Sequence, residues 1–321
     1  MGSKTWVRPP RLERGSRVAL VAPAGPLLER DDLTRAEALC RALGYEPALG
    51  RNTAERHGYF AGTDEQRLAD LNDALRDPEV SAIWCIRGGY GTTRILDRVD
   101  FDALARRPKP LIGYSDITAI LNAAARHTGV ITFHAPMARA AMPAFSRRHF
   151  ERVLASAEPA GRLEQMPQPE DVLLPREHRV ATIHGGIAEG PLMGGNLTLL
   201  QCLLGTSHFP DLDGAILFLE DVGEDLYRVD RMLAHLRMAG ALDRLAGIAV
   251  GRFTELNRAM TDGALGFDEV LTTYFGPLGI PVIHGVPVGH IEDQWTLPLG
   301  VRARLDADAR ELDLLEAAVS A

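Results

Sequence analysis

The first part of the sequence alternates between short apolar runs and helix-like segments, with a spacing of about 30 residues. Such an alternation indicates a parallel β-sheet whose strands are joined by crossover helices, and it predicts an α/β fold. The carboxyl ends of parallel strands lie along one edge of the sheet, where ligands bind. Residues that directly follow an apolar run are therefore the first candidates for a functional site. The apolar runs cover residues 18–21, 82–86, 110–112 and 130–133.

A change in composition near the middle of the chain predicts that it folds as two domains. The chain has 321 residues, more than one ordinary hydrophobic core accommodates. Between residues 157 and 179, prolines and glutamates interrupt any regular pattern, as in a linker. We therefore predict an N-terminal α/β domain over residues 1–156, a linker over 157–179 and a C-terminal domain over 180–321. One large α/β domain is the alternative.

The second half of the chain continues with strand and helix patterns. Apolar runs at 215–219, 248–250 and 282–283 predict strands, and residues 301–305 and 311–315 predict a closing β-hairpin. The predicted fold class is therefore α/β in two domains. The N-terminal lobe is Rossmann-like with a parallel sheet, and the C-terminal α/β lobe has a mixed, largely β core.

Composition and charge argue against several classes of function. The net charge is −8 and the sequence contains no basic tract, so we expect no nucleic-acid partner. No apolar run approaches the roughly 20 residues that span a bilayer, so we expect no membrane association. The apolar segment at 18–26 is short and follows two prolines. It fits a first strand better than a signal peptide, and we expect a cytoplasmic protein.

The cysteines and histidines do not form a metal-binding pattern. Cys40, Cys85 and Cys202 share no metal-ligand or redox spacing, and their apolar surroundings predict that all three are buried. The histidines include no HExxH arrangement. Gly88 and Gly89 follow an apolar run but lack the spacing of a dinucleotide-binding fingerprint. We expect neither a metal nor another cofactor.

The stretch PLIGYSDITAI, residues 110–120, places a serine between a buried strand and the start of a helix. A sharp turn there would lift the hydroxyl of Ser115 out of the sheet edge. The helix N-terminus would offer N–H groups to a developing oxyanion. Ser115 is therefore a candidate nucleophile. The alternative is that Ser115 or Asp116 only caps the helix, a common role for both residue types.

A nucleophilic serine needs a base within hydrogen-bonding distance and an acid that orients the base, and the sequence offers candidates for both. Glu220 ends an apolar strand, where a charge is costly unless it is paired, and His290 lies in a loop rich in glycine and proline. The pair Gly88–Gly89 would suit an oxyanion hole, although a plain turn fits equally well. The residues alone leave His134, His184 and His284 open as alternative bases, and Asp116, Asp221 and Glu224 as alternative acids.

These candidates belong to six short blocks of sequence: VAPAG at 21–25, RGGYG at 87–91, GYSDIT at 113–118, GGNLT at 194–198, LED at 219–221 and GH at 289–290. With these blocks the chain resembles the LD-carboxypeptidase family of serine peptidases, which includes murein tetrapeptide carboxypeptidases and microcin C immunity peptidases. The blocks span nearly the whole chain in the order of the family. Together they are specific, whereas each alone is not.

The resemblance implies a Ser–Glu–His triad divided between the two domains. Ser115 would be the nucleophile, His290 the general base and then the general acid, and Glu220 the residue that orients the histidine. The oxyanion hole of the family uses two backbone N–H groups, which correspond here to those of Gly88 and Asp116. The resemblance also implies a homodimer.

Two kinds of substrate divide this family. The murein enzymes release terminal D-alanine from the L-centre of diaminopimelate or lysine. The immunity peptidases cleave an acyl-sulfamoyl adenylate amide and need an aromatic surface for the adenine. The RGGYG and GGNLTLL blocks, and an aromatic content of 6 %, favour murein tetrapeptide as the substrate. Arg87, beside the glycine pair, is a candidate for binding the terminal carboxylate, followed by Arg228 and Arg231.

Two other functions are compatible with the residues. One is a serine hydrolase that uses the same triad on an ester or another amide. The other is a non-catalytic binding protein, with two lobes around a cleft and glycine turns that hold an anion. Reaction with a serine-directed probe would separate an enzyme from a binding protein.

Overall fold

The computed structural model describes residues 5–29, 31–166, 180–257 and 265–321, and these form a two-domain α/β fold built on two sheets. In the first sheet, the strands of the N-terminal part run parallel to one another, as the alternation predicts. These strands are β1 (Arg17–Val21), β2 (Glu46–Leu49), β3 (Ala82–Cys85), β4 (Leu111–Gly113) and β5 (Thr132–His134).

Helices connect these strands and cover the sheet. The helices are α1 (Asp32–Ala42), α2 (Asp64–Arg76), α3 (Thr92–Ile95), α4 (Phe101–Arg106), α5 (Thr118–Thr128) and α6 (Ala144–Leu154). Helix α2 begins at a capping box in which Thr63 Oγ1 accepts from the Gln66 amide while the Gln66 side chain accepts from the Thr63 amide. The helix α5 is buried along most of its length, so it packs as a core element.

The second sheet is mixed, as predicted for the C-terminal lobe. Its strands are β6 (Gly161–Arg162), β7 (Ala181–His184), β8 (Ile187–Asn196), β9 (Ile216–Val222), β10 (Gly247–Thr254), β11 (Val282–His284), β13 (Arg302–Asp306) and β14 (Glu311–Leu314). Their order is β6-β14-β13-β8-β9-β10-β11-β7, and β8 to β11 are parallel while the strands outside them are antiparallel. The helices of this part are α7 (Leu197–Leu203), α8 (Leu226–Met238) and α9 (Phe267–Phe275). The predicted hairpin is confirmed by the pairing of β13 with β14.

One strand connects the two halves of the sequence. Strand β12 (Leu297–Leu299) lies far along the chain but pairs antiparallel with β5, so the order of the first sheet is β12-β5-β4-β3-β1-β2. The short strand β6 lies within the predicted linker and pairs with β14 of the second sheet. Residues 167–179 of that linker lie outside the described residues, and the domain boundaries stay a prediction.

The two sheets meet where the end of β8 packs against α5. The side-chain amide of Asn122 donates to the carbonyl oxygens of Thr118 and Gly194, at 2.9 and 3.0 Å. The backbone N–H of Asn196 donates to Thr118 Oγ1 at 3.1 Å. These buried hydrogen bonds fix the position of β8 and β9 relative to the helix that follows β4.

The three cysteines do not all follow the prediction. Cys40 and Cys85 are buried, as expected from their apolar surroundings, but Cys202 is exposed. Cys202 lies on α7, a short helix whose buried face is formed by Leu197, Leu200 and Leu203. Cys202 is not part of that face. None of the helices in the described part of the chain is long and apolar enough to cross a membrane.

We predict that Gly194 is essential for pairing β8 with β9. Its φ is +144°, and a Cβ there would collide with the carbonyl oxygen of Phe218. Replacement by alanine should therefore lower the free energy of unfolding by more than about 3 kcal/mol. The matched control is Gly205→Ala, which also has a positive φ, of +84°, but faces open space. It should cost about 1–2 kcal/mol. Denaturant unfolding of both variants measures the difference, and equal losses would contradict a steric role for Gly194.

Candidate active site

The candidate nucleophile Ser115 lies at the edge of the first sheet. It follows β4 and opens a 3-10 helix, Ser115–Ile117, that continues into α5. Its φ is +59°, in the left-handed region that a residue with a side chain adopts only when the surroundings impose it. The half-buried side chain makes its hydrogen bond with His290, so the predicted alternative of helix capping by Ser115 is not what the structure shows.

A chain of two hydrogen bonds joins Ser115, His290 and Glu220. The distance from Ser115 Oγ to His290 Nε2 is 3.1 Å, and that from His290 Nδ1 to Glu220 Oε2 is 2.8 Å. Since a carboxylate only accepts, we assign the ring proton to Nδ1, which donates to Glu220. His290 Nε2 is then free to accept the proton of the Ser115 hydroxyl. The arrangement is that of an activated serine.

Glu220 is held in an environment that is unusual for an acid. It lies in β9, at the carboxyl end of the apolar run, and its side chain is 0 % exposed. Burial raises the pKa of this carboxyl, whereas the hydrogen bond and charge of His290 lower it. The imidazole therefore stabilises the charged form of Glu220, and the side chain of Asn196 also lowers the pKa of this carboxyl through a hydrogen bond.

Gly88 lies directly against the serine. A Cβ on this residue would lie 2.9 Å from the Cβ of Ser115 and 3.0 Å from its Oγ, so any side chain would displace the hydroxyl. Within the described residues the amide of Gly88 donates no hydrogen bond. The structure thus packs the backbone of Gly88 against Ser115 without an intervening side chain.

The side chain of Asp116 contacts Thr92 and not the helix that follows Asp116 in sequence. Its carboxylate is buried and accepts from the Thr92 amide at 2.9 Å, while its carbonyl accepts from Thr92 Oγ1 at 2.7 Å. Burial raises the pKa of this carboxyl. Asp116 therefore binds the first residue of α3, a capping role on a helix other than the one that it precedes.

The alternative acids and bases lie elsewhere. Asp221 accepts from the side-chain amide of Asn196 and from both the backbone N–H and the hydroxyl of Thr198, each at 2.9 Å, so it fixes the start of α7. Glu224 contacts Thr198 and Arg228. His184 is exposed, and His284 lies 3.9 Å from Asp268.

His134 is buried between aromatic rings. It lies between Tyr114, at 5.7 Å, and Phe218, at 5.2 Å, and within the described residues neither ring nitrogen has a hydrogen-bond partner. Burial, together with the charge of His290, lowers the pKa of His134 to about 3. The ring is thus neutral in the folded protein.

A cleft of about 480 Å³ opens beside the serine. Arg87 lines it, as a carboxylate-binding residue would, and its guanidinium donates to the carbonyl of Pro26. The other candidate arginines do not line this cleft. Arg228 pairs with Asp225 at 3.4 Å, and Arg231 lies over the ring of Tyr227.

Three further residues of the cleft were not singled out in the sequence. Tyr114 packs edge-on against His290, with ring centroids 4.9 Å apart, and Met137 and Arg139 line the same wall. Tyr114 follows β4, and the other two lie in the loop after β5. The rule that residues following parallel strands gather at one edge would have found Tyr114 when applied to β4, and Met137 and Arg139 when applied to β5. No group of three or more potential metal ligands occurs within the described residues.

We predict that His134 makes the protein acid-sensitive. The folded state keeps the ring neutral down to about pH 3, because its pKa is lowered to about 3, whereas the unfolded chain takes up a proton near pH 6.5. Stability is therefore lost as the pH falls from about 6.5. The free energy of unfolding of the wild type, relative to His134→Leu, should fall by about 1.4 kcal/mol per pH unit between pH 6 and pH 4.

Unfolding measured from pH 7 to pH 4 in both proteins tests this prediction. His57→Leu, which removes an exposed histidine, is the matched control for the loss of a histidine as such. Parallel pH profiles of the wild type and His134→Leu would contradict a buried neutral ring.

Comparison with known proteins shows the family of the chain. Residues 18–135 match the profile described as the LD-carboxypeptidase N-terminal domain, and residues 189–305 match that of the LD-carboxypeptidase C-terminal domain. A murein tetrapeptide carboxypeptidase of Pseudomonas aeruginosa is 38 % identical over 301 residues, which cover 91 % of this chain and 94 % of that protein.

Solved structures agree with this relationship. A muramoyltetrapeptide carboxypeptidase from Oxalobacter formigenes superposes with a TM-score of 0.78 at 34 % identity, covering 93 % of this chain and 97 % of the other. The structure of MccF in complex with glutamyl sulfamoyl guanosine gives a TM-score of 0.87 at 25 % identity, covering 98 % and 99 %. The MccF of Escherichia coli, a microcin C7 self-immunity protein, is 28 % identical over 296 residues, which cover 85 % of each chain.

Proposed function

Since the chain belongs to the LD-carboxypeptidase family, we propose that it is a serine peptidase that releases terminal D-alanine from murein tetrapeptide. The hydrogen-bonded chain of Ser115, His290 and Glu220 at the wall of the cleft is the observation that carries this proposal. The names of its relatives support murein peptide as the substrate.

In the first step, Ser115 Oγ attacks the carbonyl carbon of the L-residue that precedes D-alanine. His290 Nε2 takes the hydroxyl proton, and the carboxylate of Glu220 stabilises the resulting imidazolium through Nδ1–H. When the tetrahedral intermediate collapses, the C–N bond breaks. The imidazolium then gives its proton to the departing amine of D-alanine.

In the second step, water hydrolyses the ester formed on Ser115. His290 takes a proton from the water molecule while the water oxygen attacks the acyl carbon. The C–O bond to Ser115 then breaks. The serine oxygen recovers its proton from the imidazolium. The products are the tripeptide acid and free D-alanine, and the enzyme returns to its starting state.

The negative oxygen of both intermediates needs hydrogen-bond donors. We assign this role to the backbone N–H groups of Gly88 and Asp116, as the family resemblance implies. The close packing of Gly88 against Ser115 supports the first assignment. Position 116 directly follows the nucleophile at the start of a helix, where N–H groups are unpaired.

The terminal carboxylate of the substrate needs a positive partner. Arg87 lines the cleft beside Gly88 and Ser115, and its hydrogen-bond partner Pro26 contributes a neutral carbonyl, so its charge is not cancelled by that contact. We propose Arg87 as one residue that binds this carboxylate.

We predict that the triad acts as a unit. Ser115→Ala and His290→Ala should each lower kcat for D-alanine release by about 10⁴-fold or more, and Glu220→Gln by about 10³-fold or more. Chromatographic measurement of D-alanine released from murein tetrapeptide tests this. A Ser115→Ala variant that keeps wild-type turnover would refute the proposed nucleophile.

A serine-directed fluorophosphonate separates the enzyme from a binding protein. The wild type should be labelled and Ser115→Ala should not. Ser207→Ala is a matched control, because Ser207 is an exposed serine that does not line the cleft. Labelling without release of D-alanine from the tetrapeptide would point to a different ester or amide substrate.

The overall similarity to MccF favours a second candidate, cleavage of an acyl-sulfamoyl nucleoside. The aromatic side chains argue against it. Tyr114 is the one Phe, Tyr or Trp residue among the described residues that line the cleft. Its ring packs edge-on against His290. Phe145 and Phe150, which follow β5 in sequence, are buried. Incubation with glutamyl sulfamoyl guanosine tests this candidate, and we expect slower turnover than with murein tetrapeptide.

We also propose that the protein acts in the cytoplasm as a homodimer, as the family resemblance implies. Light scattering coupled to gel filtration measures the mass in solution, and we expect twice the mass of 35.0 kDa. A single-chain mass at micromolar concentration would contradict the dimer.

A further inference from the structure

Three arginines line the cleft that contains the serine. Arg35, Arg87 and Arg139 line it together with Ser115 and His290. The charges of these arginines are not equally compensated, so they differ in what they offer to a ligand.

Arg35 is already paired. Its guanidinium contacts Glu29 Oε2 at 3.0 Å and Asp31 Oδ2 at 3.1 Å, and the side chain is half exposed. These two carboxylates cancel its charge. Arg35 therefore adds little to the field inside the cleft.

The charges of Arg87 and Arg139 are compensated less fully by nearby carboxylates than the charge of Arg35. Arg87 donates to the carbonyl of Pro26, which is neutral. Arg139 has one long contact, 3.5 Å from Nη1 to Asp32 Oδ1. Asp32 is itself buried and accepts from the backbone N–H groups of Leu28 and Glu29 through its other oxygen. Within the described part of the chain, Asp32 is thus the carboxylate that pairs with Arg139, and its charge also acts on Arg87.

The two guanidinium groups also influence each other. Burial lowers the pKa of Arg87 and the positive charge of Arg139 lowers it further, whereas the carboxylate of Asp32 raises it. Both groups remain charged, because an arginine stays protonated under all ordinary conditions. A partly desolvated wall with net positive charge favours an anion, above all a carboxylate, whose two oxygens match the fork of guanidinium donors.

The loop that carries Arg139 is fixed at several points. The Ala135 amide donates to the carbonyl of Gly113, and the Ala138 amide to that of Cys85. Trp84 Nε1 donates to the carbonyl of Pro136 at 2.8 Å. These bonds tie the loop after β5 to β3 and β4, so the backbone of Arg139 has a defined place beside the serine.

We infer that Arg139 is a specificity-determining residue that, with Arg87, binds the terminal carboxylate of the peptide and restricts cleavage to the last residue. Apolar side chains, those of Met137, Ala140 and Ala141, line the same cleft and suit contact with the methyl group of D-alanine. This inference rests on the proposed function and adds the residue that makes the peptidase a carboxypeptidase.

The test compares murein tetrapeptide with the same peptide ending in D-alaninamide. The wild type should prefer the free acid in kcat/KM by about 100-fold or more, because the amide carries no charge for the arginines. In Arg139→Gln this ratio of acid to amide should fall at least tenfold. Arg139→Lys should keep part of the preference for the acid, because the positive charge remains but the paired guanidinium donors are lost.

Two variants serve as controls. Arg148→Gln removes an exposed arginine on α6 that pairs with Glu164 at 2.9 Å, and its ratio should equal that of the wild type. Asp32→Asn removes the carboxylate partner of Arg139. If Arg139 only anchored Asp32, both Asp32→Asn and Arg139→Gln would lower the stability and leave the ratio unchanged.

The outcomes separate the two proposals. A wild type that releases D-alanine but whose ratio is unchanged in Arg139→Gln refutes the role of Arg139 alone. A wild type that cleaves neither peptide refutes the proposed function and this inference with it. If Arg139→Gln does not fold, as judged by thermal unfolding, the ratio measured for Arg139→Lys decides, and a value equal to that of the wild type overturns the inference.

Discussion

The buried carboxylate of Glu220 is the constraint on which the rest of the site depends. A charge without solvent is costly unless it is paired, and His290 supplies the pairing at 2.8 Å. The same contact fixes the orientation of the imidazole, so that its other nitrogen faces Ser115. One interaction therefore explains why a loop after β11 is held against β9 and why an imidazole nitrogen lies within hydrogen-bonding distance of the serine.

The site also depends on the junction between the two sheets. Ser115 belongs to the edge of the first sheet, whereas Glu220 lies in β9 of the second sheet and His290 follows β11. Hydrogen bonds from Asn122 to Gly194 and from Asn196 to Thr118 fix that junction within the interior. A hydrogen bond tolerates little displacement, so the packing of β8 against α5 sets the distance between Ser115 and His290.

Much of the fold was predictable because the hydrophobicity of each residue and its periodicity along the chain are local properties of the sequence. The strands β1, β3, β4, β5 and β9 follow apolar runs, and the pairing of β13 with β14 follows a turn signal. Strand β8 was not predicted, because its glycines and proline are typical of loops and are tolerated here only by close packing against β9. Strand β12 was not predicted either, since its partner β5 lies far away in sequence.

By itself, the sequence determined the α/β class, the strand ends at which chemistry is concentrated, and a short set of candidate acids, bases and nucleophiles. Family resemblance selected three of them. Only the tertiary structure decided that His290, and not His134, lies within hydrogen-bonding distance of Ser115, 175 positions away in the chain. The tertiary structure also places Arg139, which the sequence analysis did not single out, at the cleft. The physical reason is that distance and burial, which determine proton transfer and charge, arise only when the two sheets pack together.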